Sequence, residues 1–434
     1  MISDIVETTT IPRLDDVTRF LHALHTAYPE RSVFQRIGTS RGGEPLWMFS
    51  TGSGREHALV IGGPHSNEPI GLLTVIELAR RLVERGDLGL TWHLIPCIDP
   101  DGVRLNEGWF DGPFTIAHHY RHLYRPALDA QPEWAFPTSR FNTPLPETIA
   151  LKRAIDELRP RFLYSLHNAD FGGTHFQVHG LVPGLADALG EVATGFGMPL
   201  DLAPIDTLGY EVAGPGVFVI PPYIEISHDL AAPEIKAATS WQYAQRYNTL
   251  SLLTEVPLWN VKGSDDLTET STPRTDLLRW SSGRLRDAVG AISRVRAKAR
   301  PYMDWTAARC AAVDDTVQIT SMLIAMMEVA LMETADSERD RVSVAEMLGV
   351  RGTVWRMPLR MSGMLLGSLT REVAAGNRNH VLLSALAELE ELFGGLCAAA
   401  EREVPHPATP LRRLVAVQTE AALTTARLLR EHSR

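Results

Sequence analysis

With 434 residues, 44% of them hydrophobic and 22% charged, the chain has the composition of a folded globular protein, and its length suits two domains. The 42 basic and 52 acidic residues leave a formal net charge of -10 without a dense Lys/Arg run to track phosphates, which argues against a nucleic-acid partner. Three widely spaced cysteines, Cys97, Cys310 and Cys397, fit neither a disulfide framework nor a paired-cysteine metal site, so reduced buried thiols are expected.

The first residues, Met1 to Asp16, lack the basic-then-apolar pattern of a secretory leader. No uninterrupted apolar run approaches the roughly 20 residues a spanning helix needs. A cytoplasmic protein without a membrane partner is therefore the expectation.

As far as about residue 260, short apolar runs alternate with amphipathic stretches, the pattern of an α/β domain. Four runs read as central strands covered on both faces: Ala58 to Ile61, His93 to Ile98, Phe162 to Leu166 and Leu250 to Thr254. Between the first two, Leu72, Val75, Ile76, Leu78, Ala79 and Leu82 recur at helical spacing after Pro69, which is tolerated in a first turn. A second helix is expected over Leu145 to Leu158, with Pro160 beyond its end. The segment Asn260 to Pro273, with Gly263, Ser264, Asp265 and Asp266, reads as a linker. Beyond it, stretches such as Leu277 to Ala299, Val313 to Met332 and Leu382 to Glu403 predict a helical bundle, with Met322, Met326, Met327 and Met332 filling its core. The division expected is 1–262 for the α/β domain and 274–434 for the helical one.

Chemistry concentrates where predicted strands end. His65 and Glu68 lie in Gly62-Gly63-Pro64-His65-Ser66-Asn67-Glu68, at a strand-to-helix turn, which is where open α/β sheets bind ligands. His167 follows the third strand and Glu255 the fourth. Two imidazoles and a carboxylate leave a fourth position of tetrahedral zinc open, as catalytic sites require, although spacing alone does not separate zinc from other divalent ions. Glu255 is then placed to move a proton between a water and a leaving amine. Taken singly, each of these is more often a hydrogen-bonded rim residue than a ligand.

In order along the chain, however, these pieces resemble the M14-type zinc carboxypeptidases over about residues 15 to 260. The markers are Ile37-Gly38-Thr39-Ser40-Arg41-Gly42-Gly43-Glu44-Pro45-Leu46, then His65-Ser66-Asn67-Glu68, Asp99-Pro100-Asp101-Gly102, Leu145-Pro146-Glu147-Thr148, His167 and Glu255. The resemblance implies a mixed eight-stranded sheet between helices, followed here by an all-α domain. It also implies hydrolysis of a C-terminal peptide bond in a peptide or peptide-like substrate, with one zinc ion per chain on His65, Glu68 and His167, and Glu255 as the base.

Departures from the family pattern bear on the substrate. Asn67 stands where digestive members carry arginine, and Asp99 replaces an asparagine. For the arginines that hold the substrate's carboxylate and the developing oxyanion, the stretch between residues 102 and 145 offers Arg121, Arg125 and Arg140. Arg125 is assigned to catalysis, and Arg140 with Asn142 to substrate binding. The family's mobile tyrosine meets Pro233 in alignment, with Tyr223 and Tyr243 as displaced candidates. His175 and His179 share one face of a predicted strand without an accompanying carboxylate, which favours pocket lining over a second metal site. Two other functions stand beside the carboxypeptidase reading. One is an N-acyl amino acid deacylase of the aspartoacylase or succinylglutamate desuccinylase kind, whose HxNE resembles residues 65–68. The other is a non-catalytic binding protein.

Overall fold

The computed structural model describes residues 9–86, 88–221, 237–333, 340–403 and 408–432. The chain begins with α1 (Leu14–Ala27), β1 (Ser32–Thr39), β2 (Pro45–Thr51), β3 (Glu56–Ile61), α2 (Ile70–Arg85) and β4 (Leu90–Ile95). Short helices α3 (Pro100–Arg104) and α4 (Ile116–His122) lead to α5 (Pro146–Leu158), β5 (Phe162–His167), β6 (Phe171–Gly172), β7 (His175–His179) and α6 (Leu185–Gly195). Then come β8 (Glu211–Gly214), β9 (Val217–Val219), α7 (Ser240–Ala244), β10 (Leu250–Glu255), β11 (Trp259–Asn260) and β12 (Glu269–Pro273). The remainder is helical apart from β13 (Arg341–Ser343): α8 (Arg274–Ala299), α9 (Ala308–Glu333), α10 (Val344–Ala374), α11 (His380–Glu403) and α12 (Leu411–His432).

Nine strands form one mixed sheet in the order β1-β2-β4-β3-β5-β10-β7-β9-β8, one more than the eight expected. The short β8/β9 hairpin, bracketed by Gly209, Pro215 and Gly216, carries little apolar pattern yet docks on β7 through Phe176 and Val217. At the centre, β4, β3, β5 and β10 run parallel, so their carboxyl ends share one edge. His167 and Glu255 are direct register partners there. These strands are buried almost throughout, as their apolar runs require when helices cover both faces.

Helix α2 follows from its apolar periodicity, with Pro69 at its N-cap and Gly86 closing it at a φ of 108°. It buries more than one face, because α12 lies over the side turned from the sheet. Arg81 bridges Glu77 and Glu420 across that contact, and Thr74 Oγ1 donates to Gln418 Oε1 at 2.6 Å. The division at residues 262 and 274 therefore follows chain order but not the core. One hydrophobic cluster runs from Ile11 through the sheet and α10 to Leu429 on α12.

The bundle itself is α8 to α11, with α10 packed on the other three and on α4. A Cβ at Gly363 would collide with the backbone oxygen of Tyr120, so the missing side chain sets that close approach. Of the methionines expected in the core, Met327 is buried, whereas Met326 and Met332 are exposed, because only one side of α9 meets α8 and α10. By length and composition alone α9 is long and apolar enough to cross a membrane, although Asp314, Asp315, Gln318 and Glu328 interrupt its apolar run. The stretch read as a linker is largely ordered: β11 pairs with β6, β12 pairs with β13, and Ser264 is buried. The three cysteines are free and buried.

Three of the family-like motifs hold one another. Ser40 Oγ and the Gly42 N–H each donate to the Asp101 carboxylate at 2.7 Å, and a side chain at position 42 would displace that carboxylate. Arg41 donates through its backbone N–H (2.9 Å) and Nε (3.1 Å) to Glu147 Oε1. Its Nη2 stands 3.6 Å from Asp99 Oδ1. Asp99 is buried, and burial, opposed by Arg41, pushes its carboxyl up to about 7. A carboxyl that holds its proton more tightly folded than unfolded costs nothing below about pH 4 and its full amount above about pH 7. Asp99→Asn is therefore expected to stabilise the protein at pH 8 by up to about 4 kcal/mol, three pH units at 1.36 kcal/mol each, with the gain fading toward pH 4. Thermal unfolding across that range checks this, and an equal gain at both ends would contradict it.

Candidate metal centre

The first two donors sit on a turn rather than on a helix. The Glu68 N–H donates to the His65 oxygen at 3.0 Å, and α2 begins only at Ile70. Gly62 and Gly63 make that turn feasible: a Cβ on Gly62 would collide with the Pro96 oxygen, and Gly63 has a φ of 54°. His167 ends β5, and the amide of Asn168 next to it accepts from the Ile70 N–H at 3.3 Å, tying the strand end to the helix start.

His65, Glu68 and His167 each offer a ligand atom, all within 4.8 Å of one another, and all three are buried. His65 Nδ1 is buried without a hydrogen-bond partner among the described residues, a vacancy in bonding that a cation would satisfy. Burial, and next the charge of Arg125, hold the His65 imidazole well below its usual pKa, in the neutral form a metal ligand needs. The donor set of two imidazoles and one carboxylate fits a zinc ion with an open position.

The two nitrogens of His167 face different partners. Nδ1 lies 3.0 Å from Glu68 Oε2 and 3.9 Å from Glu255 Oε1. Nε2 lies 3.2 Å from Glu133 Oε2 and 2.9 Å from Ser165 Oγ. Burial alone would lower the imidazole, but Glu133 and Glu68 outweigh it and raise its pKa to about 10. Glu133 is itself fully buried and accepts from Ser165 Oγ (2.9 Å) and Ser240 Oγ (2.7 Å). Without a metal the imidazole is thus protonated on both nitrogens; once Nδ1 gives up its proton, as a metal ligand must, Glu133 and Ser165 hold the remaining proton on Nε2. From behind, Gln418 Nε2 of α12 donates to the His167 backbone oxygen at 2.7 Å.

A cavity of about 240 Å³ opens onto these groups, lined also by Arg125, Trp134, Asp206, Tyr210, Trp241, Glu255, Arg356 and Arg360. A larger cleft of about 470 Å³ lies against α1 and β2 and contains none of the three donors. Glu255 enters from β10; burial, and next the Glu68 carboxylate, push its carboxyl up to about 8. Arg125 donates through Nη1 to Glu68 Oε1 at 2.7 Å and to Asn67 Oδ1 at 3.2 Å.

Other expected residues lie elsewhere. Arg140 and Asn142 are not among the cavity's lining residues; they sit in the turn before α5, where Asn142 is exposed, because the chain spends residues 138–145 crossing the surface. Arg121 forms an exposed bidentate pair with Glu390 of α11 at 2.7 and 2.8 Å. Tyr243 donates to Asp156 at 2.8 Å, outside the cavity lining, while Tyr223 and Pro233 fall outside the described residues. His175 is buried with both ring nitrogens unpartnered among the described residues, and burial lowers it to about 4. It joins Asp206 and Arg356 in lining a small adjoining cavity.

Sequence reasoning missed Glu133, Asp206, Tyr210 and the two helical-domain arginines. Glu133 lies in Gln131-Pro132-Glu133-Trp134, which carries no motif. The arginines did leave a signal: Arg356 and Arg360 stand one helical turn apart in an otherwise apolar stretch, Val354 to Met361.

Residues 17–112 match the zinc carboxypeptidase family model. That stretch contains His65, Glu68 and the Asp99–Gly102 segment, so the chain's likeness to the zinc carboxypeptidases, read from its motifs, is shown there. No curated protein sequence matches. Similar solved structures include a candidate metallopeptidase of Shewanella baltica, at 16% identity over 56% of this chain and 84% of that one, with a TM-score of 0.40. Carboxypeptidase A of Helicoverpa armigera is 16% identical over 57% of this chain and 65% of its own, with a TM-score of 0.38. Bovine thrombin-activatable fibrinolysis inhibitor is 11% identical over 56% and 86%, with a TM-score of 0.37.

Because Glu133 orients His167 through the nitrogen turned away from Glu68, Glu133→Gln is expected to weaken zinc binding about 10–100-fold while leaving the donors in place. Competition against a zinc chelator measures this, and unchanged affinity would remove the orienting role.

Proposed function

We propose that this protein is a zinc-dependent metallopeptidase that hydrolyses a C-terminal peptide or amide bond of a peptide-like substrate. One zinc ion per chain is held by His65, Glu68 and His167, and Glu255 is the general base. The observation that carries this reading is the convergence of the three donors within 4.8 Å of one another, with the Glu255 carboxylate 3.9 Å from His167 Nδ1, in one cavity.

A zinc ion held there by His65, Glu68 and His167 would supply polarisation of a scissile carbonyl and acidification of a water. Glu255 takes the water's proton and delivers it to the leaving nitrogen, and its burial beside Glu68 gives it the enhanced proton affinity that both transfers need. Arg125 holds Glu68 in place and presents its positive charge to the carbonyl oxygen from the same cavity wall. Trp134 and Trp241 add apolar surface to the cavity lining.

Glu255→Gln is expected to retain about one zinc per chain and to lose about 10²–10⁴-fold in turnover, because the change keeps shape and removes the proton acceptor. Metal analysis with turnover of short peptides, their C-terminal amides and N-acyl amino acids, read by mass spectrometry, tests the reading. Activity within about threefold of the unsubstituted protein would rule out the base role. Stoichiometric zinc in a His65→Ala, His167→Ala double variant would remove the site. Equal cleavage of acids and amides points to an endo-acting amidase, and cleavage of N-acyl amino acids alone to a deacylase.

A further inference from the structure

Two arginines from the helical part of the chain reach the cavity of the three metal donors. Arg360 is already committed. It is buried, and its Nε (3.1 Å) and Nη2 (3.0 Å) both meet Oδ2 of Asp170, a fully buried carboxylate that also accepts from Tyr120 OH at 2.7 Å. Arg356, one turn earlier on α10, is engaged differently. Its Nη1 and Nη2 each donate to one oxygen of Asp206 at 3.2 Å, the planar two-point geometry in which a guanidinium grips any carboxylate. Its Nε is buried without a hydrogen-bond partner among the described residues.

The partner is what makes this grip exchangeable. The Asp206 side chain is 50% exposed, against 17% for Arg356, and belongs to a single 3-10 turn, Ile205–Thr207. An exposed carboxylate that leaves its partner returns to water at little cost, whereas a guanidinium that is mostly out of water is left short of partners, its Nε already lacking one among the described residues. The other cationic groups of the cavity lack this freedom: Arg125 is fastened to Glu68 and Asn67, and Arg360 to Asp170.

We infer that Arg356 is the residue that anchors a carboxylate of the substrate, and that this carboxylate takes the place Asp206 holds in its absence. The inference rests on the reading of the adjoining metal centre as a hydrolytic site. It makes the helical part a wall of that site and assigns the recognition sought at Arg140 and Asn142 to α10 instead. The ligand class is a free carboxylate close to the scissile bond.

The test uses the zinc-loaded full chain carrying Glu255→Gln, so that ligands bind without turnover, and measures calorimetric affinity for an N-acetylated dipeptide and for its C-terminal amide. Arg356→Ala is expected to weaken the acid by roughly 30-fold or more, as removing one side of a buried charge pair does, while the amide changes far less. Asp206→Asn, which removes the internal competitor, is expected to tighten the acid, an effect that a merely structural Arg356–Asp206 pair would not produce. Zinc content, measured in parallel, should stay the same in all variants. Equal affinity of the parent for acid and amide, no measurable binding of the acid, or acid affinity indifferent to Arg356→Ala would each overturn the inference. If Arg356→Ala does not fold, indifference to both Arg356→Lys and Asp206→Asn would do so. Acid binding through Arg356 without turnover in the Glu255-containing protein would sink the hydrolase reading and leave the anchor; turnover indifferent to Arg356 would do the reverse.

Discussion

The parallel pairing of β3, β5 and β10 is the constraint on which the rest of the centre depends. Parallel neighbours end at the same edge of a sheet, so the loop after β3, the last residue of β5 and the last residue of β10 come together without any local sequence relation between them. His167 and Glu255, 88 positions apart in chain terms, become register partners. A slip of one residue would turn each of these side chains to the opposite face of the sheet. Burial of both faces opposes such a slip, because the apolar runs Phe162–Leu166 and Leu250–Leu253 are almost wholly enclosed.

Around that edge, carboxylates do most of the positioning. Glu133 holds one nitrogen of His167, Asp101 and Glu147 hold the turn at Ser40–Gly42, and Asp170 receives Arg360 and Tyr120. Glu133, Glu147 and Asp170 are fully buried and each meets several donors, which is the condition under which a buried carboxylate is tolerable rather than costly. The motifs at 37–46, 99–102 and 145–148 thus act mainly as a framework. They join segments far apart in the chain, and His65, Glu68, His167 and Glu255 make none of these contacts.

The helical half is built into the site rather than appended to it. Helix α12 covers α2 and fastens the His167 backbone through Gln418; the same residue accepts from Thr74, and its backbone oxygen accepts from Tyr164 OH. Helix α10 crosses α4 closely at Gly363 and delivers Arg356 and Arg360 to the cavity. A single hydrophobic cluster runs through both halves, so the position of those arginines is secured by core packing and not by their own ion pairs alone.

From the sequence alone, the strands and helices that carry strong apolar periodicity were legible, as was the meeting of His65, Glu68, His167 and Glu255 at one edge of the sheet. Each stands at the end of a run long enough to be read as a strand, so its place on the sheet edge followed from the pattern. What escaped were contacts whose partners are far apart in the chain and bear no local signature. Glu133 sits in an unpatterned turn, Asp206 on a short 3-10 turn, and Arg356 some 190 residues after His167 on a helix read only as bundle. Arg140 and Asn142 looked suitable by their position in the chain, yet the path of residues 138–145 carries them over the surface. Local periodicity determines which face of an element is apolar, but only packing between elements decides which polar side chains share a cavity, because that depends on crossings such as α10 over α4 that no short stretch encodes.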